Sequence, residues 1–196
     1  MYIKRNLRQA FLEADTFFPA LLVTGARQVG KTTFLRNIAG PSRRFVSLDP
    51  LDMRMQAKED PRLFLANNPP PVMIDEIQYV PELLPYIKQI IDDTRNRDPE
   101  SAHSLFWLTG SQQFELMKGV SESLAGRIGI FNLYGLSQAE LAGRNDGAFS
   151  PERDCSPPQE SVSPLEIFTR IWCGSFPELV TVTAIVGLVM EASNPL

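Results

Sequence analysis

The 196-residue sequence has a single histidine, His103, and only two cysteines, Cys155 and Cys173. A lone histidine removes multi-histidine metal sites and histidine-dependent catalytic triads from consideration. His103 itself reads as a loop residue on the polar approach to a strand. Two cysteines so far apart make neither a disulfide framework nor a Cys-x-x-Cys metal site, which fits a reducing, cytoplasmic setting. Positive charge is not in excess, since 19 lysines and arginines stand against 23 acids for a net charge of -4. No broad basic face is expected, and nonspecific nucleic-acid binding through bulk charge is disfavoured. The longest uncharged apolar run, Leu179 to Met190, falls short of the ~18 residues of a membrane span. The N-terminal Lys4, Arg5 and Arg8 are followed by Glu13 and Asp15 rather than by the apolar core of a signal peptide.

What is present is an ordinary globular composition, 43% hydrophobic and 21% charged, in a chain long enough for one domain or one domain plus part of another. Short apolar runs that end in turn or polar residues predict five strands: Ala20 to Thr24, Phe45 to Leu48, Val72 to Asp75, Leu105 to Thr109 and Ile128 to Leu133. Segments of helical spacing lie between them, at Lys31 to Ala39, Leu51 to Ala66, Leu83 to Arg97 and Gln112 to Leu124. Strands that are apolar throughout suit a parallel sheet covered on both faces, so the class is α/β. After Gly143 the chain becomes rich in proline and serine. The expected organisation is a nucleotide-binding domain over 1–143, an exposed linker over 144–164, and the start of a second domain over 165–196.

The first strand runs directly into Gly25-Ala26-Arg27-Gln28-Val29-Gly30-Lys31-Thr32, followed by Thr33. This is the phosphate-loop pattern, two glycines, a lysine and a threonine at the required spacing between a strand and a helix. The glycines let the backbone curl so that successive amides face phosphate oxygens, and the helix that follows adds its positive N-terminal end. Lys31 would reach the β- and γ-phosphates and Thr32 would give its hydroxyl to Mg²⁺.

A metal held by Thr32 needs a carboxylate opposite it at the end of a neighbouring strand. Val72-Met73-Ile74-Asp75-Glu76 supplies one, with Asp75 orienting Mg²⁺ or its waters and Glu76 polarising the attacking water. The strand ending in Thr109-Gly110-Ser111 offers Thr109 and Ser111 as γ-phosphate sensors. Arg127, ahead of the last strand, is a candidate for supplying positive charge to the transition state, in cis or across a subunit interface. Arg43 and Arg44, just before a strand, read as solvated.

Taken together these segments resemble the AAA-like P-loop ATPases of bacteria and archaea, in which a nucleotide-binding domain precedes a C-terminal domain of uncharacterised role. The markers are Thr24 to Thr33, Ile74-Asp75-Glu76-Ile77-Gln78, Leu108-Thr109-Gly110-Ser111-Gln112, Leu124-Ala125-Gly126-Arg127 and Gly174-Ser175-Phe176-Pro177-Glu178. The resemblance implies ATP as nucleotide, Mg²⁺ as metal, and a five-stranded parallel core with the phosphate-loop strand near its centre. It leaves the protein or nucleic-acid client unnamed and allows a homo-oligomer. Beyond Glu178 the sequence departs from the family pattern, and a premature stop or shifted reading frame is expected there. The leading expectation is a Mg²⁺-dependent ATPase; a nonhydrolysing nucleotide-binding module is the alternative, and a small-molecule kinase ranks below both.

Overall fold

The computed structural model describes residues 2–41, 43–111, 114–144 and 163–180. The five expected strands form, each within a residue of its expected bounds: β1 (Ala20–Thr24), β2 (Arg44–Ser47), β3 (Val72–Asp75), β4 (Phe106–Gly110) and β5 (Ile128–Asn132). They make one sheet in the order β2-β3-β4-β1-β5, and every neighbouring pair is parallel. A parallel sheet needs a crossover after each strand, and helices supply the covering layers. These are α1 (Leu7–Asp15), α2 (Lys31–Ile38), α3 (Leu51–Glu59), α4 (Pro61–Asn67), α5 (Leu84–Arg97) and α6 (Phe114–Ser123).

The two faces of the sheet follow from the two-residue alternation of strand side chains. Ala20, Leu22, Val72, Ile74, Phe106 and Leu108 belong to one fully buried cluster with Ala57, Phe64, Leu84, Ile87 and Val120 from α3 to α6. On the other face Phe11 of α1 meets Phe34 of α2 and Trp107 of β4 edge-on, with ring centroids 5.7 and 5.0 Å apart. Aromatic pairs in this geometry add about 0.5–1.5 kcal/mol each beyond the area they bury.

The phosphate-loop strand β1 lies beside the central strand β4, near the centre of the sheet as expected. Two expectations need correction. The segment Leu51 to Ala66 is two helices, not one. Pro61 forces Asp60 out of helical conformation (φ -140°, ψ 86°), and the Asp60 carboxylate then caps α4 by accepting from Leu63 N at 2.9 Å. Arg43 is buried, not solvated: its guanidinium lies 3.9 Å from the Trp107 ring centroid, donates to Ser104 O and Oγ, and faces Asp15 at 3.6 Å. The exposed Arg44 guanidinium donates to Asn67 O at 3.0 Å.

The chain divides into two compact units, Arg8–Tyr134 and the described residues of Met1–Leu7 and Gly135–Leu196. The first contains the whole sheet. In the second, α7 (Gln138–Leu141) starts with a capping box between Ser137 and Glu140. Glu140 also accepts from Arg5 Nε at 3.1 Å and from Asn6 N at 2.7 Å. Helix α8 (Pro164–Cys173) leaves Leu165, Ile171 and Trp172 exposed. The expected linker lies outside the described residues over 145–162, and so does the apolar run beyond Val180. None of the helices among the described residues is long and apolar enough to cross a membrane.

Candidate nucleotide site

Because the strands are parallel and in register, the loops after β1, β3 and β4 emerge along one edge of the sheet, where open α/β folds place their ligand crevices. The loop after β1 turns sharply at Gly25, with φ +152°, and enters α2 through Gly30 in the left-handed region, φ 89°. Between them Val29 is buried and pins the loop to the core, while Ala26, Arg27 and Gln28 are exposed. Gly30 provides no side-chain cap, so the amides of the first turn of α2, from Lys31 through Thr33, point outward at the crevice.

Lys31 is only 6% exposed and folds back over the loop, donating to Gly25 O at 3.1 Å and Ala26 O at 2.8 Å. Burial lowers its ammonium pKa below the ordinary lysine value; Glu76 and Asp75 nearby oppose that shift, and Arg27 adds to it. A phosphate would supply both the missing negative charge and better acceptors than two carbonyls.

Strand alternation puts Asp75 and Thr109 on the same face of the sheet as α2. Thr32 Oγ1 donates to Asp75 Oδ1 at 2.7 Å, and Thr109 Oγ1 donates to the same oxygen at 2.5 Å. Thr109 Oγ1 also accepts from Glu76 N at 3.0 Å. The Thr109 hydroxyl therefore spends its one hydrogen on the Asp75 carboxylate and holds the Glu76 backbone N–H, leaving no donor for a phosphate. Ser111 is different. Its Oγ is buried and has no hydrogen-bond partner among the described residues. Of the two expected sensors, the geometry leaves Ser111 with the donor to spare.

The donor set suits Mg²⁺. Thr32 directs its hydrogen to Asp75, which leaves lone pairs on a hard oxygen, and a carboxylate stands beside it to hold a coordinated water. Among the described residues no three or more of His, Cys, Asp and Glu cluster together. A Mg²⁺ site of this kind does not need such a cluster, because phosphates and waters fill most of its positions.

Glu76 follows β3 in the left-handed region at φ 60°, and a 3-10 turn over Ile77–Tyr79 comes next. That reversal lets Gln78 reach back: its Nε2 donates to Glu76 Oε2, and its Oε1 accepts from Ser111 N at 3.2 Å. Sequence reasoning placed Gln78 inside a marker segment without giving it a role. The available signal was a polar residue two positions after the acid pair, between buried Ile77 and half-buried Tyr79.

Arg127 is not brought to this site in its own chain. Its carbonyl accepts from Ala20 N at the start of β1, a whole strand length, roughly 15 Å, from the edge that carries the phosphate loop. There it makes a two-pronged pair with Asp92 of α5, at 2.6 and 3.1 Å. The cis role is therefore corrected to a structural pairing. The hydrogen bond from Arg127 is the main reason the Asp92 carboxyl is held below the ordinary aspartate value. A depressed carboxylate pKa adds stability above the unfolded value and loses it as pH falls through the folded one. Replacing Arg127 with alanine is expected to cost about 0.5–1 kcal/mol at neutral pH, as for a partly exposed pair. The difference should shrink on acidification, and monomer ATP affinity should be unchanged. Parallel thermal melts and nucleotide titrations check this, and a large affinity loss in dilute protein would return Arg127 to the site.

A family model described as an AAA domain matches residues 18–142. The chain belongs to the AAA-like P-loop ATPase family. It is also 36% identical over 138 residues to an uncharacterized protein of Mycobacterium bovis and, to the same extent, to one of Mycobacterium tuberculosis. The match takes in 69% of this chain and 29% of the length of each relative. The matched region takes in the phosphate loop, the acid pair and the β4 terminus of this AAA domain.

Proposed function

We propose that this AAA domain binds ATP with Mg²⁺ and hydrolyses the γ-phosphate, and that it acts on a protein or nucleic-acid client. The observation that carries the reading is the 2.7 Å hydrogen bond that joins Thr32 to Asp75, with Lys31 just before Thr32 and Glu76 just after Asp75 in the chain. In this reading the loop amides and Lys31 bind the phosphates, Thr32 and Asp75 hold the metal and its water, and Glu76 accepts the proton of the attacking water. Bound Mg²⁺ would neutralise charge on the β- and γ-phosphate oxygens. Domain boundaries of 1–143, 144–164 and 165–196, a cytoplasmic location and a homo-oligomer in which Arg127 serves a neighbour belong to the same proposal.

Lys31 gives the binding test. Exchanging it for alanine removes charge-assisted hydrogen bonds of about 1.5–3 kcal/mol, so ATP affinity should fall roughly 10- to 100-fold. Affinity for the unmodified chain should also weaken with rising pH earlier than an ordinary lysine would allow, because burial lowers the Lys31 pKa and only the ammonium form attracts phosphate. Lys31→Arg, which keeps its charge, should not show that alkaline loss. Calorimetric titration of the three proteins decides the matter, and equal binding by Lys31→Ala would place the nucleotide elsewhere.

A further inference from the structure

We propose that Gln78 is a positioning residue that couples Glu76 to the end of β4 at Ser111; this rests on the reading of Glu76 as the general base. The Gln78 amide can be oriented in only one way here. A carboxylate only accepts and a backbone N–H only donates, so Nε2 must face Glu76 and Oε1 must face Ser111. The turn that carries Gln78 is fixed at its root, since Ile77 is fully buried and Tyr79 N donates to Glu76 O at 3.1 Å. One side chain thus joins the proposed base to the residue with the unused hydroxyl.

The link has a direction. With Gln78 in place, one Glu76 oxygen is held by an amide donor and the other is left to accept from the attacking water. A γ-phosphate that draws in the Ser111 hydroxyl shifts the adjoining Ser111 N–H, and the Gln78 amide follows it. The base is held in line by the same strand end that meets the phosphate, so its placement depends on whether a γ-phosphate is present. Misplacement of a reacting group by about 1 Å costs up to ~100-fold in rate, which is enough for such a contact to matter.

The test is a double-mutant cycle on the full chain with ATP and Mg²⁺. Gln78→Ala removes the donor and the acceptor, whereas Gln78→Glu keeps the size and the acceptor but sets a second carboxylate against Glu76. Each is expected to lower kcat about tenfold with KM within about threefold. Neither should lower kcat further in a Glu76→Gln background, where there is no base left to position. A residue that merely props up the turn would lower kcat in the Glu76→Gln background as well. In the nucleotide-free chain, the Gln78 side-chain amide proton should resonate downfield and move back in Glu76→Gln.

Unchanged kcat in both Gln78 variants, or the same tenfold loss persisting beside Glu76→Gln, overturns the coupling. Full turnover by Glu76→Gln overturns instead the assignment of the base, so the two failures are told apart. If Gln78→Ala fails to fold, the isosteric Gln78→Glu and the amide resonance carry the decision.

Discussion

Glu76→Gln is expected to bind ATP within about threefold of the unmodified chain and to release phosphate about 10²–10⁴-fold more slowly, the range that a positioned general base supplies. Binding should survive because no atom that cradles the phosphates is touched. Glu76 N, bonded to Thr109 Oγ1 at 3.0 Å, belongs to the backbone and is retained. Lys31, Thr32 and Asp75 keep their contacts. The substituted amide has the size of the carboxylate and can still accept from Gln78 Nε2 through its oxygen, so the turn over Ile77–Tyr79 has no reason to move. Only the capacity to take a proton is lost. Measuring affinity by titration and turnover by phosphate release on one preparation separates the two properties. Turnover equal to that of the unmodified chain would remove Glu76 from the chemistry, and loss of binding would make it part of the cradle. Binding by the unmodified chain without phosphate release would instead favour a nonhydrolysing module.

The parts of this site that were legible in the sequence are those where residue type dictates a local conformation. Gly25, Gly30, Lys31 and Thr32 announce themselves by spacing, because a loop that wraps phosphate needs those types in that order. Asp75 is readable as the acid ending an apolar strand. Strands β1, β3 and β4 were legible because each is a mostly apolar run buried on both faces, and the partly exposed edge strands β2 and β5 were legible from their apolar residues between turns. The missed features depend on tertiary placement. Arg43 looks like any strand-flanking cation until β4 brings Trp107 beneath it and α1 brings Asp15 beside it. Thr109 looks like a phosphate sensor until strand alignment sets it against Asp75. Arg127 looks like a free arginine near an active edge, but it precedes β5, and the parallel pairing of β5 with β1 places it at the opposite end. Helical spacing ran unbroken from Leu51 to Ala66 and hid the local rule that governs there, the effect of Pro61 on Asp60.

Gly25→Ala is expected to be the most damaging single methyl that can be added to this AAA domain. A Cβ at position 25 would sit 2.2 Å from Leu133 O and 3.2 Å from Leu133 C. The obstacle is backbone, not a side chain that can swing away, and it is tied down, since Leu133 N donates to Thr24 O at 2.7 Å just before the loop begins. The φ of +152° is a second obstacle, because L residues rarely adopt it. Strain in such a region costs about 1–3 kcal/mol, and overpacking against a fixed wall about 1–3 kcal/mol more. A total of roughly 2–6 kcal/mol lowers the melting temperature by about 10 °C or more for a unit of this size. The chain can relieve the clash only by moving the start of the loop, and Lys31 takes its present position from Gly25 O and Ala26 O. ATP binding should therefore fall in whatever fraction remains folded, by more than the stability loss alone explains. Gly40→Ala is the control: no atom lies within 4 Å of the added methyl and no positive φ opposes it, so it should be neutral or stabilise by up to about 1 kcal/mol. Thermal melts and nucleotide titrations of the two variants side by side give the comparison. A Gly25→Ala protein as stable and as tightly binding as Gly40→Ala would mean that the loop does not hold the shape that brings Lys31, Thr32 and Asp75 together.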